Sequence, residues 1–489
     1  MHYRYCILTG LRNASPLLPA FRDMVDRFIP SPTRVILGVN DSTDATLEMV
    51  QNWPHPNLDV FTFDTGSPYP PRTATRERTA HLALVRNRII ERALQYSDWD
   101  FALMLDASKL MGSECPKVLM DDGGDIVAPL SWHWKHPNSF WDTWCFRDIE
   151  GRPFRNQLLV PAAARIEVQA VGGVYMVKRS VLEQGCRLAE TDGSGCDSVP
   201  FCEQARSKGF RVFIRTELRV TAFDYPNSVP KLGCINAITA AGDYVSPDLV
   251  HVRPDRCFPH IMVGDPHQSN WQYLRREIPH NWYVDDRHPT LGFLNRDEAH
   301  ILFNSALPFR GKNALEIGCW KGWSAAHLAA AGVQLDVVDP ILSSPEILET
   351  VTSSLRAGGW LSHVNLFPGY SPQKIEELAA AGKRWSLIFI DGNHEEPGPW
   401  LDAQVCEKYA EPDALVLFHD LASPIVARGL DYFQQKGWKT IVYCTTQIMG
   451  AAWRGNAMPI QHIPDPRVNW TLPNHLRNHP VSGASVKPS

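Results

Sequence analysis

The sequence predicts an α/β protein, and three observations carry that prediction. Apolar runs of strand length alternate with amphipathic segments of helix length through most of the chain. In the C-terminal half the runs around Leu315, Leu335–Val338, Leu387–Ile390 and Leu415–Phe418 each stop in a carboxylate: Glu316, Asp339, Asp391 and, after His419, Asp420. The first of these runs continues into a glycine-rich turn, Gly318-Cys319-Trp320-Lys321-Gly322, that opens a helix at about Trp323. Such a turn lets the backbone approach a ligand closely and aims helix N–H groups at it. Ligands of open parallel sheets bind beyond the carboxyl ends of the strands, so a cofactor site is expected in this half.

The N-terminal half justifies its elements in turn. Residues 3–9 read as a strand, 16–29 as a helix and 34–39 as a second strand. Asn40-Asp41-Ser42-Thr43-Asp44 then offers N-cap residues for a helix running to about Trp53. Residues 58–63 form a third strand. Arg76 to Tyr96 is a long helix with Leu82, Val85, Ile89, Ile90, Ala93 and Leu94 on one broad face. Phe101–Leu105 is a buried strand ending at Asp106, and the whole pattern implies a mostly parallel sheet over residues 1–225. Residues 226–290, rich in Pro, His, Asp and Arg, read as an irregular connector, part of which is expected to close over the first domain. A second α/β unit is expected over 291–455, followed by an extended, proline-rich tail over 456–489.

The chain has 489 residues, enough for two or three domains. Its net charge of −5 gives no electrostatic reason to expect nucleic acid. The 11 cysteines are scattered and odd in number, with no CxxC pair, which fits reduced thiols in a cytoplasmic protein better than a disulfide framework. No run approaches the roughly 18 apolar residues that a membrane span needs. The 16 tryptophans, several in polar segments, fit either platforms for sugars or plain core packing. Oligomeric state is not legible.

Four N-terminal segments follow one another in an order that resembles GT-A glycosyltransferases: Asn40–Asp44, Leu84-Val85-Arg86-Asn87-Arg88, Leu103–Ser108 and Phe140-Trp141-Asp142-Thr143-Trp144-Cys145-Phe146-Arg147-Asp148. The last is similar to a YDTW-type segment of fungal capsule-associated mannosyltransferase-like proteins. Val171–Val177 and Gly195–Cys202 resemble that family's acceptor-side strand and acidic helix start. The resemblance implies a nucleotide-sugar donor, GDP- or UDP-linked, whose diphosphate leaving group needs positive charge, usually from a divalent metal at a strand end. Asp106 is the metal candidate, but Asp106-Ala107-Ser108 lacks the second acid of the family's Asp-x-Asp, and the family's late metal-binding His is replaced by Asp224. Arg86 would supply charge to the phosphates or form a structural ion pair. Asp41 and Asp44 would contact base or ribose, or else cap a helix. Asp197 and Glu203 are the candidate bases for the acceptor hydroxyl, and Trp141, Asp142 and Trp144 would line a sugar pocket.

Residues 293–453 resemble class I S-adenosylmethionine-dependent methyltransferases, and among them small-molecule O-methyltransferases that hold a metal. Glu-Ile-Gly-Cys-Trp-Lys-Gly is not the G-x-G-x-x-G of nicotinamide-binding domains. Glu316, Gly318 and Gly322 would cradle the amino-acid end of S-adenosylmethionine, and Asp339 would accept from the ribose hydroxyls. Asp391-Gly392-Asn393-His394 and His419-Asp420 fall at neighbouring strand ends. Asp391, His419 and Asp420 would hold a divalent cation, magnesium by their oxygens or manganese or zinc by the imidazole. His394 or His419 would be the base.

The combined reading is a bifunctional enzyme that transfers a sugar and O-methylates a sugar or glycan hydroxyl. The alternative is a methyltransferase whose first domain only binds carbohydrate. In a third reading the methyltransferase domain is the silent scaffold.

Overall fold

The computed structural model describes residues 4–66, 75–133, 136–140, 142–154, 160–161, 164–223, 242–278 and 280–483. The chain divides into two compact units, Met1–Asp243 and Tyr244–Ser489.

The first unit is built on a sheet with strand order Leu58–Phe63, Arg34–Asn40, Tyr5–Leu11, Phe101–Leu105, Val174–Lys178, Ile126–His133, Val212–Ala222, Lys109–Leu110. The first four strands are parallel, as expected. The sheet as a whole is mixed: Val174–Lys178 runs antiparallel to both its neighbours, and Lys109–Leu110 is antiparallel to Val212–Ala222. Alternation of strands and helices reveals the parallel half, but the order in which later strands join is a long-range choice that local periodicity does not encode. The helix Arg76–Ala93 caps its N-terminus with Thr75 and buries Val85, Ile89, Ile90 and Ala93 on one face, the stripe its sequence predicts.

The second unit carries a seven-stranded sheet in the order Val364–Phe367, Gln334–Val338, Asn313–Ile317, Trp385–Ile390, Ala410–Phe418, Met449–Arg454, Lys439–Tyr443. The first five strands are parallel; Met449–Arg454 is antiparallel to both neighbours. Read along the chain this is the order 3-2-1-4-5-7-6, a Rossmann-like doubly wound sheet. Register aligns the strand ends. Ile317 pairs with Val338 and Ile390, and Ile390 pairs with Phe418. The residues one step beyond that row, Gly318, Asp339, Asp391 and His419, therefore share one edge.

Two segments differ from expectation. Residues 244–292 are no loose connector: they belong to the second unit, where Ile261–Val263, Tyr283–Asp285 and His288–Gly292 form an antiparallel ribbon. Gly292 is required there, because a Cβ would lie 2.1 Å from the Trp282 ring. The proline-rich segment from 456 packs on the same unit. His462, fully buried, bonds Asp297 at 2.7 Å, His479 bonds Asp431 at 2.9 Å, and the Pro480 carbonyl and Ser482 N–H pair with Val442. Proline removes N–H donors but leaves carbonyls and apolar rings, so low periodicity concealed a segment that still packs. Among the described residues no helix is long and apolar enough to cross a membrane.

Candidate functional site

In the second unit the glycine turn is shaped by contact. Gly318 has φ 81°, and a Cβ on it would meet the Asp391 carbonyl at 2.1 Å. Only glycine lets the first and fourth strand ends come this close. Gly322, also with positive φ, begins the helix Trp323–Ala330 and packs on Val351 instead of facing the cavity. Lys321, fully buried, ties the turn to the ribbon through Asp285 at 3.0 Å and His288 at 2.8 Å.

The Asp339 carboxylate closes the turn from the second strand. One oxygen accepts from the N–H groups of Cys319 (2.8 Å) and Trp320 (3.2 Å), and the other caps the short turn after it through Ile341 (3.0 Å). This one side chain thus caps the turn and lines the cavity. Glu316 lies fully buried and is not among the cavity-lining residues. Neither of its oxygens reaches hydrogen-bonding geometry. Burial pushes its carboxyl well above the usual range; the nearby Ser324 hydroxyl opposes this, and Asp391 and Asp339 add to it.

Beyond the strand ends opens a cavity of about 540 Å³, lined by Gly318, Asp339, Asp391, His394, His419 and Asp420 on one side and by ribbon residues such as Trp282 and Leu291 on another. Asp391, His419 and Asp420 each present a ligand atom within 4.8 Å of the others, the one such group of three among the described residues. The His419 Nδ1 lies 3.3 Å from Asp391 and 3.4 Å from Asp420. His394 Nε2 lies 3.2 Å from Asp420 and 3.6 Å from Asp391. Two carboxylates and an imidazole at this spacing suit a divalent cation. Burial opposes a charge on His394, but the Asp391 and Asp420 carboxylates outweigh it and lift the imidazole to about 10. His419 is raised for the same reason, by Asp420, Asp391 and Glu298 against its burial. Burial disfavours the Asp420 carboxylate, yet the two imidazoles hold its pKa well below the usual range.

Three residues that sequence reasoning missed complete this site. Glu298 places one oxygen 3.3 Å from His419 Nε2, which orients Nδ1 toward the carboxylates, and its other oxygen accepts from the Gln447 N–H at 2.7 Å. The motif Asn295-x-x-Glu298 was visible as a capping box, and it does cap the helix Arg296–Ala306. Trp271 donates its indole N–H to Asp420 at 3.1 Å and lies over His394, ring centres 4.7 Å apart. Gln447 donates to the same Asp420 oxygen at 2.9 Å. No local signal marks the last two, because tertiary folding alone brings them to the strand ends.

The first unit has a cavity of about 440 Å³, also at strand ends, lined among others by Arg86, Asp106, Asp142, Trp144 and Asp197. Here the acids are consumed. Arg86 holds Asp197 through one nitrogen at 2.8 and 3.0 Å and Asp106 through the other at 3.0 and 3.2 Å. Asp142 pairs with buried Lys109 at 3.1 Å, and Trp144 donates to the Gly193 carbonyl at 3.3 Å. Several sequence assignments change as a result. Asp106, expected as a metal ligand, is paired with Arg86, and no group of three donors converges on it among the described residues. Asp197 is fully buried; burial raises its pKa, the Arg86 contact opposes that, and its clamped carboxylate positions Arg86 instead of standing open as a base. Glu203 is exposed on the helix Ser198–Ser207 and does not line the cavity. Asp41 and Asp44 are absent from the lining: Asp41 binds Thr65 through its N–H and hydroxyl, and Asp44 binds Ser15 and Thr46. Trp141 and Asp224 lie outside the described residues.

Comparison with known proteins finds a match within the second unit. Residues 315–421 match a family model described as a methyltransferase domain. Solved structures similar to part of the chain include the O-methyltransferase TomG from Streptomyces achromogenes, involved in tomaymycin synthesis and solved with SAM; identity is 19%, over 34% of this chain and 83% of that one, with a TM-score of 0.29. The O-methyltransferase from Bacillus cereus, in complex with SAH, is 13% identical over 33% and 83%, and cofactor-bound Rv0187 from MTB is 18% identical over 33% and 81%, both with TM-scores of 0.29. No curated protein matches the chain. Residues 315–421 thus match a methyltransferase domain, and the family of the N-terminal unit is unassigned.

Proposed function

We propose that the second unit is an S-adenosylmethionine-dependent O-methyltransferase that acts on a hydroxyl beside a bound divalent cation. One observation carries the reading: the glycine turn with Asp339 and the Asp391–His419–Asp420 cluster open into the same cavity. The residues fit the cofactor. Gly318 lines the cavity without a side chain, and Asp339 retains acceptor lone pairs for ribose hydroxyls. They also fit a cation, which Asp391, His419 and Asp420 would hold. The cofactor supplies an electrophilic methyl group, and the cation supplies Lewis acidity to an acceptor hydroxyl. His419 is enclosed by Glu298 and both acids, so it serves as a ligand. His394, more exposed and covered by Trp271, would receive the acceptor's proton once a cation held by Asp391 and Asp420 took over the carboxylates that otherwise keep its imidazole protonated. The ribbon carrying Trp282 and Leu291 walls the cavity on one side.

The test is transfer of labelled methyl from S-adenosylmethionine to catechols, sugars and glycosides bearing vicinal hydroxyls, with Mg²⁺, Mn²⁺ or chelator. Transfer that is lost in chelator and restored by metal is expected. Transfer that chelator leaves intact removes the cation from the reading.

The first unit supports a nucleotide-sugar reading through its cation-lined cavity at parallel strand ends and its GT-A-like motif order. Paired with the second unit it would make a bifunctional glycosyltransferase and methyltransferase. Turnover of GDP- or UDP-sugars tests it; saturable glycan binding without turnover would favour the non-catalytic alternative.

A further inference from the structure

We propose that Lys321 is a positioning residue: it makes the ribbon wall of the second cavity answer to the occupant of the glycine turn, so that a bound cofactor sets the strand His288–Gly292. The proposal rests on the S-adenosylmethionine reading of that turn and adds to it a coupling between two sides of the cavity.

Lys321 belongs to the turn but is not among the residues that line the cavity. Its side chain is 1% exposed, and an ammonium so buried is tolerated only where it is paired. Both partners stand on the ribbon: Asp285 Oδ1 at 3.0 Å, and His288 Nδ1, which accepts from the ammonium at 2.8 Å. The turn therefore cannot shift without moving the ribbon or stranding a buried charge.

On the turn side, the preceding residue joins this latch to the ribose acid. Trp320 gives its N–H to the Asp339 oxygen that also takes the Cys319 N–H, and its ring meets that of His288 edge to face, centres 5.4 Å apart. Trp320 has φ 46°, a left-handed conformation that residues with a Cβ rarely adopt. Such strain persists where the surroundings over-determine it, and here Asp339 and His288 grip the residue from two segments. On the ribbon side the hairpin is stiff. Arg287 forks onto Asp285 at 2.8 and 2.9 Å, and the Trp282 ring packs against Gly292. A displacement at Asp285 and His288 thus reaches Thr290 and Leu291, which line the cavity and are still exposed. The route from ribose acid to wall runs through Trp320, Lys321 and the Asp285–His288 pair, each step a contact within one unit. By linkage, a cofactor that steadies the ribbon is itself held tighter by a steadied ribbon.

Hydrogen exchange of the full chain, with and without saturating S-adenosylhomocysteine, tests this. In the wild type the amides of the ribbon strands Tyr283–Asp285 and His288–Gly292 should exchange at least about fivefold more slowly with ligand bound. Lys321→Met leaves Asp285 its Arg287 partner, so no buried charge is stranded. This variant should bind S-adenosylhomocysteine within about tenfold of wild type by calorimetry, while its ribbon protection at saturation falls below about twofold. A merely structural Lys321 would lower the melting temperature and leave that ligand-dependent difference in place. Lys321→Arg, which keeps the charge, should recover part of the protection. His288→Ala cuts the contact to the wall strand alone and should lose protection over that strand; it decides the matter where the melting temperature shows Lys321→Met to be unfolded. Full protection in the variant so read means that the ligand touches the ribbon directly, which overturns the latch. A wild-type ribbon that exchanges equally fast with and without ligand overturns it too. Absence of S-adenosylhomocysteine binding by the wild type overturns the cofactor reading together with the proposal.

Discussion

Both units end parallel strands in acids above a cavity, yet they use those acids in opposite ways. In the second unit Asp391 and Asp420 face imidazoles, weak partners that a cation can replace, and the supporting contacts come from neutral donors such as Trp271 and Gln447. In the first, Asp106, Asp142 and Asp197 face guanidinium or ammonium groups that cannot give up their charge. A carboxylate at a strand end is therefore open to a cation or held as an ion-pair anchor according to the partner folding delivers to it.

The sharpest break in the comparison is Arg86→Leu. It strands Asp197 as a fully buried, unpaired carboxylate and should destabilise the first unit by about 3–5 kcal/mol in urea unfolding, with Asp197→Asn added to it recovering much of the loss. Asp391→Ala should do the converse in the second unit. Methyl transfer should fall roughly 10³-fold, several kcal/mol of transition-state stabilisation, while S-adenosylhomocysteine still binds and the melting temperature stays near wild type.

Asp402 offers a pH handle at the second cavity. Burial raises its carboxyl from 3.8 to about 6, against the pull of Ser371. A folded-state pKa above the unfolded one means that folding favours the protonated form, so stability is lost as pH rises from about 4 through 6. Asp402→Asn should therefore gain stability above pH 7, about 3 kcal/mol at most by linkage, and gain none near pH 4. Thermal denaturation at the two pH values decides it. The smallest expected effect is at Glu298. Glu298→Gln can keep one acceptor oxygen for the Gln447 N–H but sets an NH2 where the second oxygen now accepts from the Asn295 N–H and meets His419, and Mn²⁺ affinity should drop about 10–100-fold by calorimetry. Unaltered Mn²⁺ affinity would reduce Glu298 to a helix cap.

Much of the second site was legible because its parts are local. Gly318, Asp339, Asp391 and His419 each end an apolar run, and a parallel register puts such ends in a row. The first four strands and the long helix of the first unit were legible for the same reason, a periodicity carried within each segment. Glu203 misled because an acid on an amphipathic helix looks the same whether its face meets a cavity or water. The pairing of Asp106 and Asp197 with Arg86, 20 and 111 residues away, is not visible in any short segment.

By itself, then, the sequence determined the strand-and-helix alternation, the glycine turn that only residues without a Cβ can make, and the acids at the strand ends, all properties of short segments. Tertiary structure decided which residues answer those acids. Trp271, Glu298 and Gln447 reach Asp420 and His419 from distant segments, the proline-rich C-terminal stretch packs instead of trailing, and Arg86 closes what a metal would have opened. Charge pairing depends on distances across the fold, and those exist only once the chain has folded.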